Sequence, residues 1–439
     1  MSSVFPRHCH QHLPTAIRGE GCYIFDTTGK RYLDGSGGAA VSCLGHDASP
    51  VRDAMRAQID RLSFAHTAFM TSEPAEALAE LLARNAPGRL SRVYLVSGGS
   101  EAIEASIKLA RQYFLERGEP SRHRIIGRRQ SYHGSTIGAL SAGGSLLRRA
   151  RYGPLLTDSS HISPCYAYRG KRDNESDSAY GRRVADELET ELCRIGPETV
   201  MAFVAEPVVG ATLGAVPPVS GYWRRVRDIC DRHGILLILD EVMCGMGRTG
   251  SLFACEQDGI APDIVAVAKG LGAGYQPLGA MLCSEDIYGA IASGSGAFEH
   301  GHTCLGHPVA AAAGHAVLTM IIEDDLPDRV MTAGRSLQSA LADSFGKHPH
   351  VGDIRGRGLL RALELVSDRQ TKTPFDPNRK LAPAIRKAAL DAGLICYPIS
   401  GTVDGVRGEH ILLAPPYIIT DAQVDELVGK LDQALSSVL

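Results

Sequence analysis

At 439 residues the chain is longer than one ordinary hydrophobic core supports, so two domains, or one large and one small, are expected. An apolar fraction of 44% and a charged fraction of 22% are those of a globular protein, and a net charge of −3 without a long Lys/Arg run argues against a nucleic-acid surface. The eleven cysteines form no CxxC pair and no even ladder, which reads as reduced thiols in a cytoplasmic protein.

The N-terminus, MSSVFPRHCHQHLP, has no apolar signal core. His8, His10 and His12 alternate there, and a frayed polar terminus is a better reading than a metal site. The longest apolar-looking run, residues 308–322, is interrupted by Gly314 and His315 and is too short to span a bilayer.

Residues 21–34 read as a hairpin with Gly29 in its turn, followed by a loop with Gly35, Gly37 and Gly38. Helical spacing covers residues 49–62, and Phe64 to Met70 brings aromatics between helices, as a substrate wall or as core. After a helix over residues 73–85, Val93 to Val96 reads as a strand, Ser97 to Ser100 as a turn and Glu101 to Phe114 as an amphipathic helix. A glycine turn before a helix start is a ready anion site, although a plain turn capped by Ser97 or Ser100 would look the same. A strand begins at Arg124, and Tyr132-His133-Gly134 follows on a loop, where an aromatic could stack on a flat ring or simply pack. Residues 165–182 are polar and mixed and read as a surface excursion. Val200 to Ala205 is a buried strand ending in Glu206-Pro207, and residues 222–233 form a helix stopped by Gly234.

The most informative stretch runs from Gly234 to Gly279. Ile235 to Leu239 and Ile264 to Ala268 are short apolar runs with no period of two, the pattern of strands buried on both faces. The first closes on Asp240 and Glu241 and the second on Lys269. Charges at buried strand ends sit where α/β folds bind ligands. Beyond about residue 325, helices over 329–345, 381–392 and from 421 alternate with short strands, which reads as a separate small α/β domain.

Gly245-Met246-Gly247-Arg248-Thr249-Gly250 matches GxGxxG, but five residues separate it from its strand and no helical period follows. A dinucleotide site needs the glycines to open a helix directly. No GxxxxGK[ST] accompanies the acidic strand, and no GxSxG elbow is present.

A phosphate turn, a stacking aromatic, a strand-end carboxylate and a strand-end lysine are together what pyridoxal 5′-phosphate requires. With these residues the chain resembles the class III aminotransferases of the fold-type I pyridoxal-phosphate enzymes. The similarity runs over nearly the whole chain and is concentrated in LLILDEVMCGMGRTGSLFACEQDGIAPDIVAVAKGLGAGYQPLGA. The resemblance implies an α/β fold with a mostly parallel seven-stranded sheet in a large domain (residues 66–325) and a small domain from residues 1–65 and 326–439. It implies that Lys269 is the Schiff-base lysine and Asp240 the partner of the pyridine nitrogen. Tyr132 and Val242 would flank the ring, Gly99 and Ser100 hold the phosphate, His133 neighbour the ring and Glu206 steady Asp240. Thr303, with His302 beside it, would reach the phosphate in a neighbouring subunit of a homodimer. The implied reaction is a ping-pong transamination through an internal aldimine, from a small-molecule amine to a 2-oxo acid. An aminomutase, racemase or decarboxylase on the same fold is the alternative.

The family's GABA and ornithine branches carry a glutamate in EPxxGEGG, where this chain has Ala211, and an arginine on the strand before the last helix, where residues 410–417 have none. Both departures favour ω-amino acids or amines with pyruvate over 2-oxoglutarate. Arg407 is a candidate for binding a substrate carboxylate, or a surface arginine, with Arg169 a weaker candidate. Phe64, Phe69, Tyr166 and Ala39 are expected, by resemblance, in the pocket wall.

Overall fold

Aliphatic residues of the short apolar runs alternate onto two faces of a sheet, both of them covered. The strand Leu236–Asp240 shows the pattern. Leu236 and Ile238 pack in one cluster with Ala105 and Leu109 of the helix Gly99–Glu116. Leu237 and Leu239 join Trp223 and Val226 of the helix Tyr222–His233 on the opposite side. The computed structural model describes residues 3–7, 9 and 13–439, so the expectation for His8, His10 and His12 lies outside the described residues.

Seven strands make this sheet, in the order Leu90–Val96, Gly279–Ser284, Ile264–Val267, Leu236–Asp240, Val200–Ala205, Arg124–Arg128, Ser159–Ile162. Gly279–Ser284 runs antiparallel to both of its neighbours, and the other pairings are parallel. Val200–Ala205, Leu236–Asp240 and Ile264–Val267 are consecutive in the chain and adjacent in the sheet, so their C-terminal ends share one edge. That edge is where parallel α/β sheets offer a crevice.

Two smaller sheets accompany it. Ala16–Glu20, Tyr23–Asp26 and Arg31–Asp34 form an antiparallel meander, and Leu394–Ile395 adds to Arg31–Asp34 in parallel. The two ends of the chain therefore share one sheet. Val351–Arg357, Leu360–Leu365, Glu409–Leu413 and Tyr397–Ser400 form the other, fully antiparallel. The helices Leu326–Phe345, Leu381–Asp391 and Asp421–Ser436 pack around this C-terminal part. Among the described residues no helix is long and apolar enough to cross a membrane.

Two local readings change. The helix expected from Glu101 starts at Gly99 and ends at Glu116. Residues 165–182 are not simply a surface excursion: Cys165 and Tyr166 are buried, and the helix Asp177–Ile195 already begins inside that range. The 245–250 loop is no dinucleotide fingerprint. Arg248 at its centre is buried and donates to the carbonyls of Leu359 and Pro415, at 3.2 and 2.6 Å, which ties the loop to the C-terminal sheet.

Gly358, in the two-residue turn between Val351–Arg357 and Leu360–Leu365, closes that same junction with φ +51°. A Cβ there would stand 2.8 Å from the Thr249 carbonyl carbon and 2.9 Å from the Arg248 carbonyl oxygen. Gly358→Ala is expected to cost about 2–4 kcal/mol, from the left-handed backbone and the displaced loop together. Urea unfolding checks this; an unchanged midpoint would show that the loop yields freely.

Candidate active site

A cavity of about 640 Å³ opens at the shared strand edge. Its walls include residues 97–100 and 132–135, together with Glu206, Asp240, Val242 and Lys269. Side-chain alternation decides which strand-end acid faces it. Asp240 follows Leu236 and Ile238 toward the Gly99–Glu116 side. Glu241, one residue on, turns the other way and accepts from the backbone N–H groups of Ala254 and Cys255, at 2.5 and 2.9 Å. Burial pushes the Glu241 carboxyl up to about 7, and those two N–H groups oppose the rise. Its role is to hold the 253–258 turn.

Asp240 is 4% exposed, and a buried carboxylate needs donors. His133 Nδ1 lies 2.8 Å from Oδ2, and the Val242 N–H donates to Oδ1 at 3.0 Å. His133 Nε2 and Glu206 Oε2 are both buried without a partner. Burial raises the Glu206 carboxyl above its ordinary range; His133 and Arg128, whose guanidinium is 3.7 Å away, pull against that rise.

Lys269 follows the neighbouring strand, in which Ala266 pairs with Asp240. Strict alternation would send its side chain to the Val265 and Val267 face. Lys269 instead has φ +46°, and its side chain lines the cavity. That left-handed conformation costs on the order of 1 kcal/mol in a residue with a Cβ. Burial lowers the Lys269 ammonium below its usual range and Arg148 adds to this, while Asp240 and Glu206 oppose it. Among the described residues its Nζ has no hydrogen-bond or ion-pair partner. The amine is thus biased toward its neutral, nucleophilic form.

The opposite wall is the N-terminus of the 18-residue helix Gly99–Glu116, which has no side-chain cap. Its first N–H groups have no intrahelical acceptor and point where an anion would bind. Glycine is required for that approach. A Cβ on Gly99 would come within 2.7 Å of Val242 Cγ1, and one on Gly134 within 2.8 Å of Ser100 Oγ. Ser100 Oγ also accepts the Ser135 N–H at 3.0 Å, which joins the helix start to the 132–135 loop.

The fold therefore brings Gly99, Ser100, Tyr132, His133, Glu206, Asp240, Val242 and Lys269 to one cavity, with Ala39 and Ala211 also on its wall. Other candidates lie elsewhere. Tyr166 is buried with its hydroxyl on Glu364, and Arg169 donates to the same carboxylate at 2.6 Å. A buried acid between the two parts of the chain claims both side chains, which sequence spacing could not reveal. Arg407 is exposed and paired to Asp404 at 2.6 Å. Phe64 is 40% exposed beside His307, and Phe69 is 85% exposed. His302 and the exposed Thr303 sit between the helices Glu285–Ser293 and Pro308–Glu323, outside the wall of this cavity. Sequence reading missed Arg148, which lines the cavity and stacks its guanidinium over the Tyr132 ring at 4.3 Å. It lies in LLRRARY, on a four-residue helix with no strand end or motif to single it out.

Comparison with known proteins agrees with this architecture. Residues 4–435 match the family described as Aminotransferase class-III. The chain belongs to the class-III aminotransferases. It is 44% identical to an uncharacterized aminotransferase of Schizosaccharomyces pombe, over 97% of this chain and 93% of that protein. It is similar in structure to a thermostable (S)-enantioselective omega-transaminase from Thermomicrobium roseum, with a TM-score of 0.94 and 38% identity, covering 100% of this chain and 97% of that one. An omega transaminase from Pseudomonas jessenii in complex with PMP aligns with a TM-score of 0.92 and 32% identity, over 99% and 96% of the two chains. Class-III aminotransferases depend on pyridoxal phosphate, and this chain is an aminotransferase.

In this class-III chain the state of the Lys269 amine can be read without turnover. Cofactor-free protein treated with formaldehyde and cyanoborohydride near neutral pH should be methylated at Lys269 faster than at exposed Lys387. Asp240→Asn removes a charge that favours the ammonium, so its labelling should accelerate several-fold at the same pH. Peptide mass spectrometry reads both rates; a slower Lys269 in the variant would reverse the electrostatic assignment.

Proposed function

We propose that the chain transfers an amino group from an ω-amino acid or amine to a 2-oxo acid, with pyruvate favoured over 2-oxoglutarate, at a pyridoxal-phosphate site in this cavity. The observation that carries the reading is the pair of strand ends: a desolvated lysine amine beside a carboxylate fixed by a buried histidine. Ala211 on the cavity wall, in place of an acid, supports the acceptor preference.

The residues fit the group. Asp240, anchored through His133 and the Val242 N–H, would accept from the pyridine nitrogen and favour its protonated form. The uncapped helix start at Gly99 and Ser100 would hold the phosphate. Tyr132 and Val242 would flank the ring, and Glu206, whose Oε2 is unpartnered, would support Asp240. Bound there, pyridoxal phosphate supplies an electron sink for the carbon that bears the amine. Lys269 Nζ would be the covalent anchor and, once freed by the substrate amine, would serve as the neutral base that takes the proton from the substrate carbon. The amino group leaves the first substrate before the 2-oxo acid enters, so the kinetics are ping-pong. Thr303 is exposed and His302 lies beside it, and both are assigned to the phosphate site of a second copy in a homodimer. The division into residues 1–65 with 326–439 and residues 66–325, and a cytoplasmic location, belong to the same reading.

Lys269→Ala is expected to abolish the visible absorbance of bound cofactor and to lower turnover at least a thousandfold. In single turnover, enzyme carrying the aminated cofactor should convert pyruvate to alanine in stoichiometric yield, with a lower kcat/KM for 2-oxoglutarate. A coloured enzyme that makes no alanine would point instead to an aminomutase, racemase or decarboxylase.

A further inference from the structure

A second cavity, of about 510 Å³, adjoins the first, and the two share Arg148, Ala211 and Tyr397 as a common wall. Ala211 brings neither charge nor bulk to that boundary. The second cavity carries two guanidiniums, Arg148 and Arg386, and no carboxylate among the described residues. Neither is neutralised. Arg148 rests on the Tyr132 ring, a stacking contact that uses none of its N–H donors. Among the described residues Arg386, half-buried on the helix Leu381–Asp391, donates only to the Pro398 carbonyl, at 3.3 Å. Arg355, on the wall of another cavity, is by contrast closed on Glu364 and Asp353. Two unpaired guanidiniums around one cavity are a surplus of planar donors that match a carboxylate.

We propose that this second cavity is a carboxylate-binding pocket in which Arg148 and Arg386 select amine substrates bearing a carboxylate at the far end of the chain. The inference rests on the transamination reading, because it takes the reactive amine to lie at Lys269. The carboxylate tail passes the Ala211 gap and meets Arg148 at the boundary and Arg386 beyond it. Arg407, held by Asp404 outside both cavities, takes no part. The two arginines are specificity-determining residues and touch neither the cofactor ring nor the reacting carbon.

The test compares 6-aminohexanoate with hexylamine, which differ only in the distal carboxylate. Wild-type holoenzyme should favour 6-aminohexanoate in kcat/KM. Arg386→Gln should raise KM for 6-aminohexanoate roughly tenfold or more, the worth of a charge-assisted hydrogen bond, and leave hexylamine kinetics within about twofold, while Arg148→Gln, which also touches the Tyr132 wall, should raise KM for 6-aminohexanoate by a clearly larger factor than for hexylamine. Arg148→Lys should recover part of the loss. Independently of turnover, calorimetric titration with hexanoate, with and without cofactor, should show binding to the wild type that both Gln variants weaken. Equal losses on both substrates, hexanoate binding indifferent to both substitutions, or loss of discrimination in Arg407→Gln instead would overturn the proposal. If neither amine is turned over while hexanoate binding still depends on the two arginines, the transamination reading fails and the pocket stands.

Discussion

The site depends on one constraint: a carboxylate and an amine must leave water side by side at the ends of two adjacent strands. Two such groups left alone would each pay a large desolvation penalty. The chain offsets it unequally. Asp240 receives His133 and the Val242 N–H and so remains a competent acceptor. Among the described residues Lys269 Nζ has no hydrogen-bond partner, and burial drives it toward the neutral form. The resulting difference, a hydrogen-bonded carboxylate beside a desolvated amine, is what amine chemistry on a polarisable ring uses.

The remaining wall follows from that pair. His133 can reach Asp240 only because the 132–135 loop lies against the start of the helix Gly99–Glu116, joined through Ser100 Oγ. Gly99 and Gly134 permit that approach, since a Cβ on either would meet Val242 or Ser100 below 3 Å. The uncapped helix start is thereby aimed into the same cavity that Asp240 and Lys269 face. Arg148 enters from a short helix packed near the 401–405 loop, where Leu147 meets Gly401 and Leu146 meets Gly405. Arg148 is thus positioned by elements that the Asp240 and Lys269 strand ends do not themselves fix.

Sequence reading reached far into the core of this arrangement. The apolar runs before Asp240 and Lys269 are legible because both sheet faces are covered, which removes the period of two. The decoy GMGRTG was separable by the five residues between strand and glycines, and the buried Arg248 accounts for that loop as a structural tie. Other candidates have partners of their own away from this cavity. Tyr166 and Arg169 are captured by Glu364, nearly two hundred positions away in the chain. Asp404, three residues before Arg407, captures that arginine at the surface. No local pattern announces which polar partner a side chain will find.

Strand ends, glycine turns and the order of buried runs are local properties, so the sequence by itself determined the sheet, its charged edge and the family to which the chain belongs. Tertiary structure alone decided the rest. It chose Asp240 over Glu241 through side-chain alternation, and turned Lys269 into the cavity through a left-handed backbone. Among the described residues it also left Arg148 and Arg386 without a carboxylate partner beside Ala211. These outcomes depend on which surfaces meet across long stretches of chain, and desolvation acts only once they have met.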